Sequence, residues 1–123
     1  MDAKTWISKT KQQMKRTGTY QKHYDPVIAA LSDILEQRDR AYEDYLENGA
    51  EIVVERTSDR GAVNMAKNPR LQVWNDLNSQ ALAYWRELGL TPAGLKKINE
   101  AAMQKKEDGS VLETALLRLS NGA

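Results

Sequence analysis

Apolar residues recur along this chain with two different periods, and the switch between them lays out its elements. Between Ala3 and Arg16, Trp6, Thr10 and Met14 fall at i, i+4 and i+8 with Ile7 beside them. This spacing predicts a short amphipathic helix, ended by Thr17-Gly18-Thr19. A longer helix is predicted from Asp25, a good N-cap, with Pro26 at the first helical position, as far as Asn48-Gly49. At about 100° per residue, Val27, Ile28, Leu31, Ile34, Leu35, Ala41, Tyr42, Tyr45 and Leu46 share its apolar face. Asp33, Glu36, Asp39, Arg40, Glu43, Asp44 and Glu47 take the other face.

From Glu51 to Ala66 the period shortens. Ile52-Val53-Val54 is β-branched, Ser58-Asp59-Arg60-Gly61 is turn chemistry, and Val63 and Met65 alternate beyond it, which predicts a β-hairpin at about 51–66. A lone hairpin is marginal in water, so it must lean on helices or on another subunit. Asn68-Pro69 repeats the cap-and-proline signal and opens a helix to Leu88, stopped by Gly89. Val73, Trp74, Leu77, Ala81, Tyr84, Trp85 and Leu88 form its broad stripe. Thr91-Pro92 begins a further element with Leu95, Ile98 and Ala102 inside. Ser110 to Glu113 has capping-box spacing and predicts a separate last short helix to about Leu119, followed by a frayed Asn121-Gly122-Ala123.

The predicted fold is mainly α: two long antiparallel helices, shorter N- and C-terminal helices and one small β-hairpin. The organisation is a basic N-terminal arm with a short helix over 1–24, a helical core over 25–107, and a C-terminal short helix and tail over 108–123. Both long helices have apolar stripes wider than so short a chain can cover, and the excess predicts a ring-forming homo-oligomer.

The length of 123 residues fits one domain, and 41% hydrophobic with 28% charged residues is ordinary for a soluble fold. Cysteine is absent, which excludes disulfides, thiolate catalysis and Cys-based zinc sites and suits a reducing compartment. No apolar run approaches the ~20 residues of a bilayer span, and the N-terminus lacks the apolar core of a signal peptide. No membrane association is expected. The formal net charge is +1, but it is unevenly spread. Residues 1–24 carry Lys4, Lys9, Lys11, Lys15, Arg16 and Lys22 against Asp2 alone, net +5, and residues 25–48 carry seven acids against Arg38 and Arg40, net −5. A basic arm is the electrostatic footprint of phosphate contact, so these six cations are the candidate DNA-binding residues, without base readout. A solvated helix, or an arm folded onto the acidic helix of a neighbour, accounts for the same charges.

Catalytic chemistry has little to stand on. His23 is the sole histidine and has no companion ligands at metal or triad spacing. Glu43 and Glu47 form an i, i+4 carboxylate pair, but they sit in a regular solvated acidic face. There is no glycine-rich phosphate loop, and no cofactor, metal or catalytic residue is assigned. Arg38 lies inside an apolar stripe, where it either pairs with a carboxylate within or between subunits, or snorkels along the hydrophobic surface or stacks on Tyr42. Arg38, Tyr42, Tyr45, Trp74 and Trp85 are the candidate subunit-interface residues. The tight Leu88-Gly89-Leu90-Thr91-Pro92 joint fits either a plain αα-corner or a helix-turn-helix, which would present Lys96, Lys97 and Asn99 to DNA.

The run Lys67-Asn68-Pro69, then a Trp/Tyr-bearing helix ending in Leu88-Gly89-Leu90-Thr91-Pro92, resembles the small subunits of phage terminases of the cohesive-end siphophage type. The acidic helix through Leu35-Glu36-Gln37-Arg38-Asp39 and the hairpin with Val53-Val54 and Gly61 extend the likeness over about residues 25–100. The resemblance implies rings of about eight to eleven subunits. It also implies double-stranded viral DNA and the terminase large subunit as partners, in the host cell cytoplasm, with ATPase and nuclease belonging to the large subunit. An oligomeric virion adaptor indifferent to DNA and a dimeric helix-turn-helix regulator are the rival readings.

Overall fold

Local capping decides where this chain stops and starts its helices. The computed structural model describes residues 1–121, in the order α1 (Ala3–Thr17), α2 (Asp25–Glu47), β1 (Val53–Thr57), β2 (Val63–Lys67), α3 (Pro69–Glu87) and α4 (Pro92–Asn121). Asp2 caps α1 by accepting the Thr5 backbone N–H at 2.8 Å, and Gly18, at φ 75°, ends it by letting Thr19 N–H reach the Met14 carbonyl at 2.9 Å.

Asp25 is not the N-cap expected. A 3-10 turn, Lys22–Tyr24, feeds straight into α2, so the capping position falls to Tyr24, whose φ −81° and ψ −9° are helical. A side-chain cap needs an extended residue at that point. Asp25 is free for other work, and its carboxylate accepts the Tyr20 hydroxyl at 2.8 Å.

The hairpin forms where the apolar period shortens, with Val54 opposite Ala66 and Thr57 opposite Val63. Its turn is closed by Gly61 N–H to the Ser58 carbonyl at 2.9 Å. Asn68 then does two jobs from a buried position. Its Oδ1 accepts Arg70 N–H at 3.1 Å to cap α3, and its Nδ2 donates to the Glu51 carbonyl at 2.7 Å, fixing the base of the hairpin.

The helix count departs from expectation. There are three long helices, α2, α3 and α4, not two. α4 runs 30 residues without the break expected before Ser110, so the separate C-terminal short helix does not exist. Gly109 costs about 1 kcal/mol inside a helix, whereas restarting one incurs a fresh nucleation penalty, so continuation wins. The capping-box spacing from Ser110 to Glu113 is also ordinary i, i+3 helix spacing. Of the expected frayed end, Gly122 and Ala123 lie outside the described residues.

α2 is the central element, packed on both α1 and α3. The contacts Arg38–Asn78, Tyr42–Trp74 and Asp44–Arg70 run in opposite directions along α2 and α3, so the two are antiparallel. Met14, Ile28, Leu31, Leu35, Ala81 and Leu88 make the buried core. α4 meets α3 only near the Gly89 corner. There a Cβ on Gly94 would stand 2.8 Å from the Arg86 Cα, so only glycine lets the helices close.

Candidate nucleic-acid interface

The basic arm of the sequence is a helix docked on α2, through buried Thr10 and Met14 and half-buried Trp6 and Ile7. That docking fixes which way its cations point. At about 100° per residue, Lys4, Lys11 and Lys15 form one flank of α1, and Lys9 and Arg16 form another roughly 130° away.

The first flank is partly engaged within the chain. Lys11 Nζ lies 3.6 Å from Asp25, and Lys15 Nζ sits 5.2 Å from the centre of the Tyr20 ring. The Tyr20 hydroxyl in turn donates to Asp25, which pushes its pKa above the ordinary 10.0. Lys4, Lys9, Arg16 and Lys22 are exposed and make no ion pair among the described residues. The acidic helix that answers the basic segment is thus its own α2, though only at Asp25 for the lysines. Elsewhere the outward acids of α2 face solvent, apart from Glu36 with Arg40 at 3.2 Å and Asp44 with Arg70 at 2.9 Å.

Arg38 pairs with a carboxylate in its own chain and stacks, but not on Tyr42. Its guanidinium is 3.1 Å from Asp39, 5.4 Å from the centre of Trp6 and 6.0 Å from that of Trp85, with a 3.5 Å bond to Asn78 Oδ1. One side chain thereby ties α1, α2 and α3 together. Asp39 also accepts the Trp6 indole N–H at 2.9 Å. Partial burial pushes the Asp39 carboxyl up, but the bonds from Trp6 and Arg38, with the Arg38 charge, outweigh it and hold its pKa below the ordinary 3.8.

Asp39 is the residue that periodicity hides: at the edge of the apolar stripe it counts as solvent face, yet it faces α1. Its adjacency to an arginine inside that stripe is the one signal that points to it. Tyr42 stacks instead on Trp74, 5.5 Å between ring centres, and lies 6.3 Å from Tyr45, whose hydroxyl donates to the Ala50 carbonyl at 2.8 Å.

The α3–α4 corner gives the secondary cations little focus. Lys96 pairs with Glu100 at 3.9 Å on the same helix, while Lys97 lines the open groove between α3 and α4 with Arg86 and Glu87. His23 lies against Tyr24, with ring centres 4.4 Å apart and the planes tilted by 47°. Among the described residues there is no cluster of three or more potential metal ligands, and no helix is long and apolar enough to cross a membrane.

Over residues 3–114 the chain matches the family model described as phage terminase, small subunit. Neither a curated protein nor a solved structure gives a significant match.

Proposed function

Given that this chain belongs to the phage terminase small-subunit family, we propose that it binds double-stranded viral DNA at the packaging-initiation region and recruits and regulates the large subunit without catalysing. It does so as a homo-oligomeric ring, with about eight to eleven copies implied by the family likeness, a closed cyclic arrangement. Its place of action is the host cell cytoplasm. The observation that carries the DNA reading is the set of exposed cations on both flanks of α1 and in the turn that follows it. Among the described residues Lys4, Lys9, Arg16 and Lys22 have no ion pair to break before they meet phosphates, whereas Lys11 and Lys15 must first leave Asp25 and Tyr20. Lys96 and Lys97 are secondary contacts. Where copies meet, Tyr42 and Trp74 form the edge of the contact, backed by Arg38, Trp85 and the buried Tyr45.

A salt titration of DNA binding tests this. Removing one phosphate partner lowers the slope of log K against log salt by about 0.9. Lys9→Glu with Arg16→Glu is expected to cut the slope by up to about 1.8, twice the value for a single phosphate. Lys11→Glu alone is expected to cut it less than either. An unchanged slope in the double variant removes α1 as the DNA grip, and no shift of phage DNA at any salt favours a virion adaptor instead.

A further inference from the structure

Two donors from different parts of the chain converge on one oxygen. Asp25 Oδ1 accepts the Tyr20 hydroxyl at 2.8 Å and lies 3.6 Å from Lys11 Nζ. The fold places both donors. Lys11 follows Thr10, which is buried where α1 docks on α2. Tyr20 follows the Gly18 turn, in which Thr19 N–H is bonded to the Met14 carbonyl, and its ring packs half-buried against the core. Lys15 stands over that ring, its Nζ 5.2 Å from the centre. A cation and a hydroxyl thus share one anionic oxygen, with a second cation on the face of the same ring.

The anion in that place is loosely held. Asp25 does not cap α2, so its carboxylate can swing away without opening the helix. Its side chain is 37% exposed, against 33% for Lys11. An ion pair so open to water holds its partners by at most about fivefold. A phosphodiester oxygen offers the same two donors an acceptor of the same charge. On duplex DNA its neutralisation also releases condensed counterions, which a carboxylate does not. At low salt the exchange therefore favours DNA.

We propose that Tyr20 is a phosphate-contact residue, and that a DNA phosphate takes the place of the Asp25 carboxylate between the Tyr20 hydroxyl and Lys11, with Lys15 beside it. This rests on the DNA reading above and adds to it a neutral contact and an internal competitor. Asp25 lowers the affinity of the free chain for DNA, because its carboxylate must leave before Lys11 and Tyr20 are available. Lys9 and Arg16, on the other flank of α1, have no such competitor among the described residues.

Binding of a labelled duplex of arbitrary sequence by the full chain, measured over a range of salt, tests the exchange. Asp25→Asn is expected to tighten binding by up to about fivefold and to steepen the slope of log K against log salt by up to about 0.9, the value of one further phosphate. In a Lys11→Gln background the same change is expected to give no steepening. Asp33→Asn adds the same charge on an exposed part of α2, from a residue without an ion pair among the described residues, and is expected to leave the slope as it is. Tyr20→Phe is made in the Asp25→Asn chain, so that no bond to a carboxylate is lost with it. It is expected to weaken binding by about threefold to tenfold at every salt with the slope unchanged, because a hydroxyl carries no charge. Tryptophan emission is expected to stay constant across the set, since Trp6 remains docked. An equal steepening from Asp33→Asn is a bulk-charge effect and overturns the competitor. Tyr20→Phe that binds as tightly as the Asp25→Asn chain, or weakens only with a shifted emission, overturns the contact. Asp25→Asn indistinguishable from the parent, while Lys9→Glu with Arg16→Glu still flattens the slope, overturns the exchange and leaves the DNA reading standing. No binding of the duplex by any variant at any salt brings down that reading, and the exchange with it.

Discussion

Arg38 occupies a place where a lone cation would be costly, and its neighbours explain why it is tolerated. Its side chain is 18% exposed, against 24% for Asp39, so the pair is only partly desolvated. The two indole faces add cation–π attraction. Arg38→Met keeps the volume and removes the partner of a half-buried carboxylate. The expected cost is about 1–3 kcal/mol, read by urea unfolding, because stranding that carboxylate matters more than the stacking given up. A change under about 0.5 kcal/mol, the range of an ordinary surface substitution, contradicts the clasp. Asp39 gives the same cluster a pH signature. Its folded pKa lies below the unfolded value, so its contribution is fully present above the ordinary 3.8 and is lost as pH falls through the lower folded value. Tryptophan emission, reporting Trp6 and Trp85, is expected to change in that acid window. Asp39→Asn is expected to remove that step, and a titration identical to the parent's rules it out.

The elements with strong local punctuation are those the sequence makes legible. Gly18, Asn48-Gly49 and Asn68-Pro69 each act where their backbone chemistry predicts, and the hairpin strands begin and end within two residues of the expected span. Legibility fails where two rules apply to one residue. Asp25 satisfies the composition of an N-cap but not its backbone, which the preceding 3-10 turn sets. Ser110 and Glu113 satisfy a capping box, yet the same spacing belongs to any helix, and periodicity alone cannot separate them. Two substitutions test these elements. Asn68→Ala removes both the α3 cap and the bond to Glu51, and a loss of about 1–3 kcal/mol is expected, with the hairpin's amide protection falling first. Gly109→Ala is expected to stabilise a continuous α4 by about 1 kcal/mol and raise far-ultraviolet helicity. A loss of helicity there indicates that a break exists.

For the whole molecule, the charge separation along the sequence folds into a short-range arrangement. α1 turns back on α2 and joins it at Asp25 and Asp39, which leaves the remaining cations and acids on separate outward faces. The acidic and basic segments are readable from composition, but which cations remain free is not. That depends on the angle at which α1 docks, and the docking is set by Trp6 and Met14 rather than by the lysines. The proposed oligomer rests on the same geometry. Tyr42, Leu46, Val73, Leu112 and Leu116 are each at least 43% exposed in one copy, and the hairpin carries Val63 and Met65 into solvent at 59% and 65%. So much uncovered apolar surface on a small chain marks contacts with other molecules. Native mass spectrometry of the purified chain, at about 10 μM and physiological salt, well inside the range of a stable interface, tests this most directly. The expected result is one dominant closed species of many copies. A lone protomer under those conditions contradicts the account.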